Sequence, residues 1–320
     1  MAHMDASPTL WIVTVVGLGV LIVVDYLVSG APHEVSIREA AVWSIVWLVL
    51  GIAFGVGLLV CAGAQPGGEF FAAFVTEKSL SIDNLFVFVV IMASFGVPPR
   101  YRQHVLQLGV VVALALRAVL IAAGAALINR FSWVFYIFGA LLIRTAIQLI
   151  RNARSAPEGR DYQGNPLLRT MRRRFRTTDH YYGTKLVVVR NDRRMMTPML
   201  AVVLAIGTTD LLFAFDSVPA VYGLTQSPYI VFTATAFSLM GLRQGYFLVG
   251  GLLRRLVHLS YGLAAILGFI GVKLVLHALH ASGADVPDIS NNLSLAVICA
   301  ILIVTTMTSL IASHRKNRAG

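Results

Sequence analysis

Residues 76–88 read TEKSLSIDNLFVF, and residues 208–220 read TTDLLFAFDSVPA. Each stretch sets two acids six residues apart in an otherwise apolar run, with a small amide or hydroxyl directly after the second. The first holds Glu77, Asp83 and Asn84; the second holds Asp210, Asp216 and Ser217. An ionisable group at bilayer depth costs at least about 2.5–3.5 kcal/mol and marks a pathway, a relay or an ion pair. Whether these stretches cross a membrane therefore decides both the fold and the chemistry.

The composition places them in a membrane. The chain has 320 residues, 57% hydrophobic and only 13% charged, against about 25% charged in a soluble domain. So little charge excludes a cytosolic enzyme, a disordered tail and a small secreted scaffold. Nine windows reach the roughly 20 apolar residues that a spanning helix needs: 9–28, 38–61, 70–95, 104–128, 131–150, 198–219, 229–250, 256–278 and 292–312. The first reads as a span and not as a signal peptide. It lacks a basic n-region and a small-residue cleavage site, and it carries Asp25. The expected fold is an all-α membrane protein of about nine transmembrane helices.

Charge placement orients it. The net charge is +11. If odd-numbered helices run from outside to inside, 20 Lys and Arg fall on the inner side and only Arg130 on the outer; without the long central loop the split is still 8 to 1. The positive-inside rule then puts the N-terminus outside and the C-terminus in the cytoplasm of an inner or plasma membrane. Segment 151–196 holds twelve of the inner positives. It reads mostly as a solvated linker, with a strand or hairpin available at Leu186–Val189 and contact with anionic lipid headgroups as a secondary role. Topology accounts for the basic excess and aromatic interleaving is thin, so no nucleic-acid partner is expected.

Helices three to five and six to eight repeat one another. The acids Glu77 and Asp83 correspond to Asp210 and Asp216. The middle helices carry Arg117 and Arg243, and the last helices pair Gly139 with Arg144 and Gly268 with Lys273. The offsets are 133, 126 and 129 residues. Three helices per unit is an odd number, so the second copy must be inserted upside down, the inverted repeat typical of secondary transporters. The resulting organisation is two N-terminal helices (1–69), a first three-helix unit (70–150), the basic loop (151–197), a second three-helix unit (198–278), and a last helix with its tail (279–320).

Six residues along a helix give about 9 Å of rise and roughly 240° of rotation. The two acids of one motif cannot then face one ion from an unbroken helix, so either the helix unwinds or the acids pair across helices. Orientation favours the second, as two layers: Asp83 with Asp210, and Glu77 with Asp216. Carboxylate, amide and hydroxyl oxygens without Cys or His suit a hard divalent cation such as Mg2+, Ca2+ or Mn2+. The competing reading is that the acids neutralise Lys78, Arg117, Arg144, Arg243 and Lys273 as buried pairs. Ion pairing predicts arginines within bidentate reach of the acids; transport predicts at least two acids free of them.

Other features are weaker. Asp25 is an accessory ligand or a helix-end group. Pro219 lacks an N–H and frees the Phe215 carbonyl beside Asp216, unless it only ends the helix. His277 and His280 with Asp285 and Asp288 form a metal-capture patch or a solvated loop. Gly67-Gly68 before Glu69 suits a tight outer turn, and Cys61 and Cys299 read as inert buried thiols. Phosphate loops, nucleophile elbows and zinc-protease motifs are missing, so neither enzyme activity nor a resident cofactor is expected.

TEKSLSIDNLFVF (76–88), FAFDSVPAVYGLT (213–225), AFSLMGLRQGYFL (236–248) and FIGVKLVLHAL (269–279) resemble the TerC family of integral membrane proteins, which includes Alx-type manganese exporters. The likeness runs from about residue 10 to 312. It implies a transporter of the LysE-like superfamily, exporting Mn2+ or protecting against tellurium oxyanions. The metal-handling residues it implies are Glu77, Asp83, Asp210 and Asp216, with Asn84 and Ser217 beside them. The family is also linked to metallation or assembly of other membrane and exported proteins. Two functions follow as expectations: Mn2+ export by alternating access in exchange for protons, or a non-transporting scaffold that holds partners through the 151–196 loop.

Overall fold

The computed structural model describes residues 6–29, 34–131, 133–154, 181–190, 193–252, 259–287 and 289–318. Ten helices and one hairpin make up the described chain: α1 Pro8–Ser29, α2 Ile37–Cys61, α3 Ala64–Ser94, α4 Pro99–Arg130, α5 Val134–Arg154, β1 Val187–Arg190, β2 Arg193–Met196, α6 Pro198–Tyr222, α7 Pro228–Met240, α8 Leu242–Leu252, α9 Leu259–Ala281 and α10 Asn291–Arg318. Local chemistry sets several starts. Proline at the first turn, whose missing N–H costs nothing there, opens α4, α6 and α7. Ser36 caps α2 by accepting the Glu39 N–H at 3.2 Å.

Among the described residues, seven helices are long and apolar enough to cross a membrane by length and composition: α1, α2, α4, α5, α6, α9 and α10. The other two expected spans differ from them. The 70–95 window falls on the 31-residue α3, which begins earlier, at Ala64, and ends at Ser94. That helix is about 46 Å long, but Glu69, Glu77, Lys78 and Asp83 lower its apolar character. The 229–250 window is not one helix. It divides at Gly241 into α7 and α8, of 13 and 11 residues.

The break is stabilised by a lysine from another helix. Lys78 of α3 donates to the Ser238 carbonyl at 3.2 Å, in the last turn of α7. A Cβ on residue 241 would lie 2.6 Å from Lys78 Nζ, so a side chain there would push the lysine head away from its place at the end of α7. A cation at a helix C-terminus satisfies a freed carbonyl and the helix dipole together.

The expected turn at Gly67-Gly68 is displaced. Gly63, at φ +102°, makes the turn between α2 and α3. Gly67 lies inside α3, where a Cβ would come within 2.8 Å of the Leu59 backbone. The hairpin expected near Leu186–Val189 forms as β1 and β2, antiparallel, with Val187 opposite Met196. Tyr181 leads into it. Its hydroxyl donates to the Phe95 carbonyl at 2.9 Å, and burial pushes the phenol up to about 12.

Packing is reciprocal between the two halves. Helix α4 lies on α6, while α7 and α8 lie on α3; α5 runs along α9. Small residues permit the closest crossings, as is usual where lipid supplies no hydrophobic drive between helices. A Cβ on Gly139 would meet the Gly271 carbonyl at 2.8 Å, and one on Gly271 would meet the Gly139 carbonyl at 3.0 Å. The buried apolar residues form two separate blocks. On α3, α4 and α6 one block holds Phe70 and Phe74, Ile121 and Ile128, and Ala214 to Tyr222. The other holds Leu85 to Met92, Val105 and Leu106, and Met199 to Ile206. On each helix a stretch with buried polar residues lies between them.

Gly271→Val should lower stability by about 1–3 kcal/mol through overpacking, read as a lower melting temperature in detergent. Gly19→Ala, with nothing within 4 Å of its Cβ, should leave the melting temperature unchanged.

Candidate ion-binding centre

The layer between the apolar blocks is built on Arg117 of α4. Its Nε and Nη2 donate to Asp210 Oδ2 and Oδ1 at 2.8 and 3.1 Å. Its Nη1 donates to Glu77 Oε2 at 2.7 Å and to Ser217 Oγ at 3.1 Å. Thr235 of α7 closes the ring, donating to Glu77 Oε1 at 3.4 Å. Glu77, Arg117, Asp210 and Thr235 are all 0% exposed. Three helices thus meet on one guanidinium, with α7 joined through Glu77, and the fork on Asp210 is the bidentate geometry that a lysine cannot reproduce.

Helical spacing explains who is present. Asp210 and Ser217 are seven residues apart, close to two full turns, and share a face. Glu77 and Asn84 have the same spacing, and Asn84 is buried on α3. The second acid of each motif is one residue short of that face. Asp216 accordingly turns to α5, where Thr145 donates to its Oδ1 at 3.0 Å and Arg144 is its electrostatic neighbour. The side chain of Asp83 lies outside the described residues. The expected layer of Glu77 with Asp216 is therefore not what forms: Glu77 shares Arg117 with Asp210, its own counterpart in the other motif. Among the described residues no three His, Cys, Asp or Glu side chains form a group able to hold a metal ion.

The acids are thus engaged in the way that the ion-pair reading expects, at least for Glu77 and Asp210. The pairing is nonetheless uneven. Two carboxylates share one guanidinium, which always carries its charge. With both acids ionised, the buried centre holds one negative charge in excess.

The other intramembrane bases have separate partners. Arg243 Nη2 meets Asp25 Oδ1 at 2.7 Å. Lys273 Nζ donates to Asn291 Oδ1 at 2.7 Å and Ser294 Oγ at 3.0 Å, and Asn291 donates in turn to Glu69 at 3.1 Å. Glu69 also accepts from Thr225 at 2.5 Å, tying α3 to the segment after α6.

A TerC family model, described as an integral membrane protein family, matches residues 62–317. The chain belongs to the TerC family. An uncharacterized membrane protein of Mycobacterium tuberculosis is 46% identical to it over 319 residues, covering 96% of this chain and 80% of the relative. An uncharacterized membrane protein of Myxococcus xanthus is 37% identical, covering 96% and 94%. A protein of Escherichia coli K12 whose name describes it as a membrane-bound redox modulator, Alx, is 33% identical, covering 98% of each chain. No solved structure matches the chain. Like its TerC relatives, this is an integral, multi-pass membrane protein.

In this TerC chain the weaker candidates resolve individually. His277 Nε2 faces the Gln226 amide at 3.0 Å and the ring edge of Phe135, while His280 Nδ1 lies 3.2 Å from the Val286 carbonyl. Asp288 is outside the described residues. Helix α6 runs through Pro219 to Tyr222, and the Pro219 carbonyl accepts the Gly223 N–H at 3.0 Å. Cys61 is exposed, not buried, and Cys299 is half-buried; neither is in a disulfide. Residues 155–180 of the basic loop lie outside the described residues. Thr235 and Thr145 were not singled out by sequence reasoning. An uncharged hydroxyl on an apolar helix carries no pattern that separates a ligand from ordinary packing.

Removing one partner of a buried ion pair costs about 3–5 kcal/mol, because the other charge is left uncompensated. Arg117→Gln should lower the melting temperature accordingly. The triple variant Glu77→Gln/Arg117→Gln/Asp210→Asn should recover most of the loss. Differential scanning fluorimetry of detergent-purified protein measures both.

Proposed function

We propose that this protein is a membrane transporter that exports a hard divalent cation, Mn2+ first, from the cytoplasm across the inner or plasma membrane. The observation that carries the reading is the uneven centre: two matched acids, one from each motif, on a single guanidinium, with one negative charge in excess. A buried surplus charge needs a mobile counter-charge, and a proton or a metal cation supplies it.

The cation ligands in this reading are Glu77, Asp83, Asn84, Asp210, Asp216 and Ser217. All present oxygen, which suits Mn2+ better than a soft metal. Arg117 holds Glu77 and Asp210 when the ion is absent. An arriving divalent cation displaces the guanidinium from at least one of them, and Asp83 joins the set. Once the ion has left outward, protons or Arg117 neutralise the acids again, which gives the proton exchange. The two units, 70–150 and 198–278, act as an inverted repeat that rocks about this centre. Their reciprocal packing, with α4 on α6 and α7 with α8 on α3, supports that relationship. Apolar blocks on either side would keep water from the centre between the two open states.

A second reading has its own support. Four hydrogen bonds from Arg117, all to protein groups, are what a dry structural core would have. In that reading the protein is a non-enzymatic scaffold that aids metallation or insertion of other proteins. Its basic 151–196 segment would then meet partners or anionic lipid.

Metal accumulation in cells separates the two. Cells making the wild type should hold less Mn2+ than cells making Asp83→Asn or Asp216→Asn at equal expression, by inductively coupled plasma mass spectrometry. Equal Mn2+ in all three would remove the transport reading and leave the scaffold. The same cultures challenged with tellurite test the resistance role.

A further inference from the structure

At the end of the molecule that the charge distribution places outside, Glu69 of α3 gathers donors from three parts of the chain. Thr225, just after α6, donates to its Oε2 at 2.5 Å. The amides of Gln65 and of Asn291, the latter at the start of α10, each donate to its Oε1 at 3.1 Å. Further bonds hold these donors in place. The Ser227 N–H donates to Thr225 Oγ1 at 3.2 Å. Lys273 of α9 donates to Asn291 Oδ1 at 2.7 Å, which fixes the end of that amide that meets Glu69.

These contacts join the two repeated units, because α3 leads the first while α6 and α9 belong to the second. About one turn deeper the Tyr222 hydroxyl makes the same crossing, donating to the Ile121 carbonyl of α4 at 2.7 Å. Glu69 is half-buried and Thr225 is buried, so the cluster lies between the outer surface and the apolar block of Phe70, Phe74 and Tyr222. A second observation concerns the same face of α3. Thr76 is seven residues beyond Glu69, close to two full turns. It is 0% exposed, and its Oγ1 is buried with no hydrogen-bond partner among the described residues. A buried hydroxyl left in this way is unfavourable and calls for an explanation. Water admitted along this face would supply the missing partner.

We infer that Glu69, with Thr225 and Asn291, is the outer gate, shown here closed. The inference rests on the transport reading and deepens it, by naming the contact that parts when the ion leaves outward. Opening separates α3 from Thr225 and Asn291. Glu69 then exchanges its neutral donors for water, and the face is wetted as far as Thr76. Closing restores the bonds to Glu69 and leaves Thr76 dry. The bonds favour the closed state, and the unpartnered hydroxyl favours the open one. Removing one charge-assisted bond should therefore move the population toward the open state by about tenfold or more.

Thiol labelling of the full chain tests this. The reporter is Thr76→Cys with Cys61→Ser and Cys299→Ser; it gives up no hydrogen bond, since the Thr76 hydroxyl makes none among the described residues. A membrane-impermeant maleimide is added to spheroplasts, and the labelling rate is read by a gel shift. Glu69→Gln keeps the shape and removes the charge. Thr225→Val removes the hydroxyl and leaves the charge. Each, added to the reporter, should raise the rate from outside by about tenfold or more. Inverted membrane vesicles, which present the other face, should label at the reporter's own rate. Thr308→Val, whose hydroxyl bonds carbonyls of its own helix, is the control and should change neither rate. If either Glu69→Gln or Thr225→Val labels no faster than the reporter, or if Thr308→Val labels as fast as they do, the inference is overturned; a merely structural knot would lower the melting temperature and leave the rates alone. If the rates rise as expected but no version moves Mn2+ in reconstituted vesicles, the transport reading fails and the opening at Glu69 stands.

Discussion

The fully buried Arg117 guanidinium, shared by Glu77 and Asp210, is the constraint on which the rest of the membrane domain depends. Charges taken out of water hold together only if the geometry is good and the remaining donors are used. Here four of the guanidinium's five N–H groups have clear tasks in the fork to Asp210 and in the branch to Glu77 and Ser217. The partners come from α3, α4 and α6, so these three helices must hold a single depth relative to one another. Their apolar faces then pack above and below that depth, which is why the core forms two blocks and not one.

The same economy governs the other polar groups. Lys78 caps the end of α7 and so makes a helix break tolerable within the membrane-embedded body. Lys273, Asn291 and Glu69 join α9, α10 and α3 through a chain of hydrogen bonds. Each base sits where it satisfies a group that folding would otherwise leave bare. The centre is the exception, because it holds more acid than base, and the functional proposal grows from that surplus.

Several elements were legible without a structure. Long apolar runs announce spanning helices because only helices satisfy every backbone group inside lipid. Acids within those runs stand out because they are costly. A strand or hairpin was available at Leu186–Val189 from its short apolar run. The partition of the acids was less accessible. A six-residue spacing shows that Glu77 and Asp83 diverge, but not which of them meets Arg117. The break at Gly241 was harder to read: the window is long and apolar enough to span despite Arg243 and Gln244, and Lys78, which satisfies the Ser238 carbonyl, lies 160 residues before it in the chain.

The amino-acid sequence by itself determined that this chain is a mostly helical membrane protein, where seven of its helices are long and apolar enough to span, and which few charges had to be accounted for inside them. Those properties follow from transfer energies and backbone hydrogen bonding, which act residue by residue along the chain. Only the tertiary structure decided that Glu77 and Asp210 share one arginine, that Asp216 turns to Thr145, that Asp25 takes Arg243, and that α7 stops at Gly241. These are choices among partners of equal charge. They depend on helix rotation and depth, which are fixed when side chains far apart in the chain pack against one another.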